Sequence, residues 1–159
     1  MKQHRVDIEE RLPVILVVDD NQQNLELLVA YLEDLECETI GAVSGEQALQ
    51  IVNSQPPDLI LLDVMMPKMS GFEVCRKIKT SPKTQNIPVI MVTALNEFGD
   101  IERGVDSGTD DFVSKPVNKL ELLTRVKTML KLKNVTDKLE RTLAYLSEIE
   151  KQARCAKSN

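Results

Sequence analysis

The sequence predicts an α/β fold built on a parallel β-sheet, and three observations carry that expectation. Short apolar runs recur along the chain as VILVVDD, DLILLDVMMP, IPVIMVTA and DFVSKP, and helix-length segments separate them. Runs that are apolar on both faces belong to strands covered on both sides, as in parallel sheets whose crossovers are helices. Each run also ends in side chains that can do chemistry: Asp19 and Asp20, Asp63, Thr93 and Lys115. The carboxyl ends of parallel strands share one edge, so three acids, a hydroxyl and a lysine are expected to meet there.

The first strand is expected over Val14 to Asp19. From Asn21 to Leu35 the residues Leu25, Leu28, Val29 and Leu32 recur at helical spacing, so an amphipathic helix follows. CETIGAV reads as a second strand, and Ser44 with Gln47 resembles a capping box that opens a helix over Gly45 to Asn53. SQPPD punctuates the chain before a third strand from Leu59 to Asp63. The turn VMMPKMSG leads into a helix over Phe72 to Thr80, and the polar loop SPKTQNIP precedes a fourth strand from Val89 to Thr93. A more polar helix over Phe98 to Ser107, a fifth strand from Asp111 to Ser114 and a helical region beginning near Val117 complete an alternation of five strands and five helices.

Right-handed crossovers and a sheet covered on both faces leave few topologies. Among them the doubly wound order 2-1-3-4-5 sets the first and third strands side by side, making neighbours of Asp19, Asp20 and Asp63. Neither glycine nor proline occurs after Pro116, so nothing local ends the last helix for about 40 residues, or about 60 Å. Leu122, Val126 and Met129 define one apolar face of it, whereas Leu132, Val135, Leu139, Thr142, Leu146 and Ile149 follow a 3-4-3-4-3 spacing in another register. The first face is expected to pack on the sheet. The second is expected to meet a partner, either another copy of the chain in a homodimer or a downstream domain. The expected organisation is a polar leader over residues 1–12, one α/β domain over 13–130 and a helical extension over 131–159.

With 159 residues, 42% of them hydrophobic, the chain can hold a sizeable core. No apolar run approaches the roughly 20 residues that span a bilayer, and MKQHRVDIEERLP has no apolar signal segment, so a cytoplasmic protein with no membrane partner is expected. A formal charge of -5 offers no general attraction to nucleic acid or anionic lipid, and Arg125, Lys127, Lys131 and Lys133 read as a solvated helix face. Cys37, Cys75 and Cys155 have no disulfide or zinc spacing, and His4 is the single histidine. Histidine-dependent catalysis is thereby excluded.

Three carboxylates in one cleft repel each other unless a pKa rises, a lysine intervenes or a divalent cation binds. Oxygen-only ligands select a hard ion, so Mg²⁺ is inferred, with Mn²⁺ as a substitute. Asp63 could then act as a nucleophile toward phosphorus, since carboxylates form aspartyl-phosphates. Lys115 and Thr93 would stabilise the phosphoryl oxygens by position and charge.

Together VILVVDD, LILLDVMMPKMSGFEV, VIMVTA and DFVSKP resemble the receiver domains of two-component response regulators, over about Pro13 to Leu130. The resemblance implies a flavodoxin-like fold and phosphorylation of Asp63 by a sensor histidine kinase or phosphotransfer protein. It implies Mg²⁺ held by Asp20, Asp63 and the Met65 carbonyl, and by Asp19 largely through water. Lys115, the switch residue Thr93 and its neighbour Ala94 would contact the phosphoryl group, and Phe112 would be the aromatic that reorients on activation. Lys115-Pro116 matches the family's usual cis peptide. By the same resemblance the protein is a signalling switch and not an enzyme acting on outside substrates, though it assists its own phosphotransfer and dephosphorylation. Its remodelled surface, made of the fourth helix, fifth strand and fifth helix, would control a partner or output domain. Met65 and Leu95, two positions beyond Asp63 and Thr93, are apolar where some relatives align the hydrolytic water with polar groups. Slow self-dephosphorylation is therefore expected.

Each residue alone has a plainer reading. Asp19 and Asp20 fit a helix cap, Asp63 a turn before Met66-Pro67, Phe112 a core position, and Met65, Met66 and Met69 gap-filling. The conjunction overturns these. Two other classes compete with this reading: a phosphatase of external substrates, which usually carries a second Asp where this chain has Met65, and an adaptor retaining only the fold, which needs no such acid, hydroxyl and lysine set.

Overall fold

The computed structural model describes residues 11–94 and 98–157. The elements are β1 (Val14–Val18), α1 (Gln22–Leu32), β2 (Glu38–Ala42), α2 (Gly45–Ser54), β3 (Leu59–Asp63), α3 (Gly71–Thr80), β4 (Val89–Thr93), α4 (Phe98–Ser107), β5 (Asp111–Ser114) and α5 (Lys119–Lys157). The strands form one parallel sheet in the order β2-β1-β3-β4-β5.

Every residue of β1, β3 and β4 is buried, and strand alternation divides their side chains between two cores. Leu16, Val18, Ile60, Leu62, Val89 and Met91 meet Val52 of α2 and Val74 and Ile78 of α3. Ile15, Val17, Leu59, Leu61, Ile90 and Val92 meet Leu25, Leu28 and Leu32 of α1 and Leu122 and Val126 of α5. Burying one such side chain stabilises by about 1.5–3 kcal/mol, so the continuous apolar runs are what fix these three strands at the centre.

Element ends depart from expectation at β1 and at both ends of α1. β1 stops at Val18, although the Asp19 N–H still donates to the Ala42 carbonyl at 3.1 Å. Asn21 lies outside α1 as its N-cap, with its Oδ1 accepting the N–H groups of Gln23 and Asn24 at 2.9 and 3.1 Å. α1 ends at Leu32 and not at Leu35, because Leu35 reaches the core from a turn in which its N–H donates to the Leu32 carbonyl at 3.0 Å. Hydrophobic spacing cannot tell such a turn from one more helical step. The capping box at α2 is shifted by a residue: Ser44 Oγ accepts the Gln47 N–H at 3.1 Å, but Gln47 Oε1 accepts from Val43, at 2.9 Å.

α3 starts at Gly71, whose N–H donates to the Val64 carbonyl at 2.9 Å. A Cβ there would collide with the Asp63 carbonyl oxygen and lie 2.8 Å from Val64 Cα, so only glycine lets the loop fold back onto the end of β3. α5 opens with Asn118 Oδ1 accepting the Glu121 N–H at 3.0 Å and runs unbroken for 39 residues.

The opposite edge of the sheet carries a repeated device. Asp58, just before β3, accepts the Val14 N–H at 2.7 Å, and Asp110, just before β5, accepts the Val89 N–H at 2.8 Å. Each ties the first amide of the neighbouring strand, and each pairs with a lysine: Asp58 with Lys133 at 3.5 Å and Asp110 with Lys79 at 2.7 Å.

Candidate functional site

Strand register assembles the site. Leu62 of β3 lies opposite Val18 of β1, so the next residues, Asp63 and Asp19, come side by side. Asp63 lies opposite Val92 of β4, and Thr93 lies opposite Ser114 of β5. The Lys115 N–H then donates to the Thr93 carbonyl at 2.8 Å. Asp19, Asp63 and Thr93 are buried, whereas Asp20 is exposed.

One oxygen from each of Asp19, Asp20 and Asp63 lies within 4.8 Å of the others. The Lys115 ammonium donates to Asp19 Oδ2 and to Asp63 Oδ1, both at 3.3 Å. Asp19 Oδ1 accepts the Asn21 N–H at 2.9 Å, and Asp63 Oδ1 accepts the Met65 N–H at 3.3 Å. Because Asn21 caps α1, capping does not account for the paired acids.

Burial and then the neighbouring Asp19 carboxylate push the Asp63 pKa up to about 6, against the opposing pull of Lys115. Burial alone would lower the Lys115 pKa, but the Asp63 and Asp19 charges outweigh it and raise the pKa. The lysine stays protonated while one carboxylate of the pair is poorly accommodated as an anion. The donors gathered here are all oxygens, with neither thiolate nor imidazole, a set that suits a small hard cation.

The other expected residues sit around this centre. The Met65 side chain is 64% exposed at the rim. Ala94 is exposed at the end of β4, and Leu95 lies outside the described residues. Phe112 lies opposite Met91 and packs, half-buried, against the core shared with α3. Its ring fills the space that a side chain at Gly104 of α4 would need. The Lys115-Pro116 peptide is cis. Cys37 and Cys75 are free thiols, half-buried and buried respectively, and Cys155 is exposed.

Two neighbours were not legible beforehand. The Arg103 guanidinium of α4 lies 5.9 Å from the centroid of the Phe72 ring on α3, and both line a cleft of about 600 Å³ beside Val64 and Met65. Nothing in a single sequence signals a pairing between an exposed arginine of one helix and a half-buried ring of another.

A family model described as the response regulator receiver domain matches residues 15–127. Response regulator PleD of Caulobacter vibrioides is 46% identical over 125 residues, covering 79% of this chain and 28% of that protein. RpaA of Synechocystis sp., a DNA-binding dual master transcriptional regulator, is 38% identical over 120 residues, covering 76% of this chain and 50% of its own. The chain thus spans half or less of these two relatives. Among solved structures, the signal receiver domain of a signal transduction histidine kinase from Syntrophus aciditrophicus superposes with a TM-score of 0.71 at 36% identity, covering 75% of this chain and 90% of that one. Among the described residues no helix is long and apolar enough to cross a membrane. With the sheet order, the strand-end acids and these matches in agreement, the chain belongs to the response regulator receiver domain family.

Proposed function

We propose that this protein is a phosphorylation-dependent switch whose acceptor is Asp63, supplied by a sensor histidine kinase or phosphotransfer protein in the cytoplasm. The observation that carries the reading is the Lys115 ammonium shared at 3.3 Å by two buried carboxylates, with the exposed Asp20 beside them. An Asp63 oxygen attacks the phosphorus of a phosphohistidine. The new oxygen–phosphorus bond forms as the phosphorus–nitrogen bond breaks, and the imidazole leaves. Asp19, Asp20, Asp63 and the Met65 carbonyl would hold Mg²⁺ or Mn²⁺, which supplies positive charge for the phosphoryl oxygens.

Lys115 exchanges its carboxylate contact for a phosphoryl oxygen, and the Thr93 hydroxyl and Ala94 N–H add hydrogen bonds. Thr93 follows the strand alternation of Val89 and Met91, and Phe112 packs on that same side of the sheet. A pull on Thr93 is therefore conveyed toward Phe112 and Gly104, and so to the surface formed by α4, β5 and α5. Phosphorylation shifts the population of that surface toward the form a partner or output domain binds.

Incubating the chain with a small-molecule phosphodonor and Mg²⁺ should add about 80 Da to the intact mass, and Asp63→Asn should abolish the gain. No gain with either metal would reduce the chain to an adaptor.

A further inference from the structure

α5 carries two apolar stripes that point in different directions. At about 100° per residue, Leu122, Val126 and Met129 share one narrow sector, and the first two are buried against the sheet. Lys133 falls in the same sector and is fastened to Asp58 at 3.5 Å, so this face stays with the domain body for a further turn. From Leu132 onward the apolar residues occupy a sector centred roughly 140° away. Leu132, Val135, Leu139, Leu146 and Ile149 are all between 44% and 64% exposed on this single helix.

The shape of this second stripe identifies its occupant. The 3-4 spacing makes Leu132, Leu139 and Leu146 the first seam position of successive heptads, and Val135, Thr142 and Ile149 the second. Every residue at the first position is leucine and every residue at the second is β-branched. In parallel coiled coils that order favours more than two strands, whereas two strands prefer the reverse. Leu143, beside the seam and 56% exposed, widens the apolar face as a larger bundle requires. Flanking charges agree: in parallel register Lys131 meets Thr136 of the next copy, Lys138 meets Leu143, and Tyr145 meets Glu150, so no like charges face each other.

We propose that residues 132–149 assemble further copies of this chain into a parallel, in-register helical bundle of more than two strands. Because the sheet-facing sector lies on nearly the opposite side of α5, the receiver domains sit on the outside of the bundle. Each strand-end carboxylate cluster then stays open to its donor. The proposal does not depend on Asp63 being the acceptor.

Sedimentation equilibrium of the full chain over a concentration series tests it. The limiting mass should exceed twice 17.9 kDa, and a limit of one or two chains would overturn the proposal. Leu139→Asp with Leu146→Asp should give a monomer whose receiver domain melts as before, since both side chains are exposed. An unchanged mass would count against this seam. Exchanging the two seam positions, by Leu132→Ile, Val135→Leu, Leu139→Ile, Thr142→Leu, Leu146→Ile and Ile149→Leu together, should lower the assembly to two chains. If the exchanged variant keeps the parent's mass, the packing argument fails.

Discussion

Lys115 Nζ stands 3.3 Å from Asp63 Oδ1 and equally 3.3 Å from Asp19 Oδ2, so one ammonium is divided between two buried carboxylates. One positive charge cannot neutralise both, and the surplus negative charge explains why the cluster suits a cation. Replacing Lys115 with methionine leaves the carboxylates facing each other. The metal-free chain should lose about 1–3 kcal/mol by urea denaturation, less than for a fully buried pair because the ammonium is partly solvated. Phosphoryl uptake at Asp63 should fall as well. Unchanged stability would mean that the lysine does not neutralise the pair.

The pH dependence has a definite sign. Asp63 titrates at about 6 in the folded protein, above the unfolded carboxylate value of about 3.9, so the folded state binds the extra proton between these limits. Metal-free stability therefore falls as pH rises from about 4 to 6, by up to about 3 kcal/mol. Asp63→Asn should remove this fall and be the more stable protein at pH 7. Denaturation midpoints of both proteins across that range check it, and parallel pH profiles would contradict the raised pKa.

At the far edge of the sheet, Asp58 and Asp110 accept the first amides of β1 and β4, at 2.7 and 2.8 Å. Alanine at either position leaves a strand N–H unpaired and should cost about 1–3 kcal/mol. Asparagine keeps the acceptor and should cost less. Faster hydrogen exchange at Val14 or Val89 in the alanine variants would report the loss locally.

Two glycines should respond differently to alanine. At Gly71 the new Cβ meets backbone of Asp63 and Val64, which cannot turn aside, whereas at Gly104 it meets the Phe112 ring. Gly71→Ala should therefore be the more destabilising, by more than about 3 kcal/mol, against about 1–3 kcal/mol for Gly104→Ala. Gly104→Ala should also displace the ring, which NMR of the Phe112 side chain would detect. Equal losses would mean that the β3–α3 loop yields more readily than its packing implies.

The Met65 side chain is largely exposed at the rim of the site and offers no polar group to an incoming water. Once phosphorylated, Met65→Asn should lose the phosphoryl group several-fold faster than the parent chain, followed by intact mass over time. Equal decay rates would remove Met65 as a ground for expecting slow dephosphorylation.

Strand positions and their terminal side chains were legible because both are local. An apolar run such as LILLD announces a buried strand, and its closing carboxylate is read in the same five residues. Alternation of strands and helices then restricts topology enough to bring Asp19 beside Asp63. The end of α1 was not legible, since Leu35 buries itself from a turn, and neither was the role of Asp58, which reads locally as part of a polar punctuation and yet ties Arg11, Val14 and Lys133 together.

The sequence by itself determined an α/β domain with acids, a hydroxyl and a lysine at strand ends, and a long final helix with two apolar registers. Tertiary structure alone decided that one lysine serves two carboxylates, that Phe112 rests on Gly104, and that the first stripe of α5 is buried on the sheet with Lys133 tied to Asp58. The reason is physical. Periodicity and termination are set by neighbours within a few residues, but Lys115 and Asp19 lie 96 residues apart, and their 3.3 Å contact exists only after register and packing have placed every strand between them.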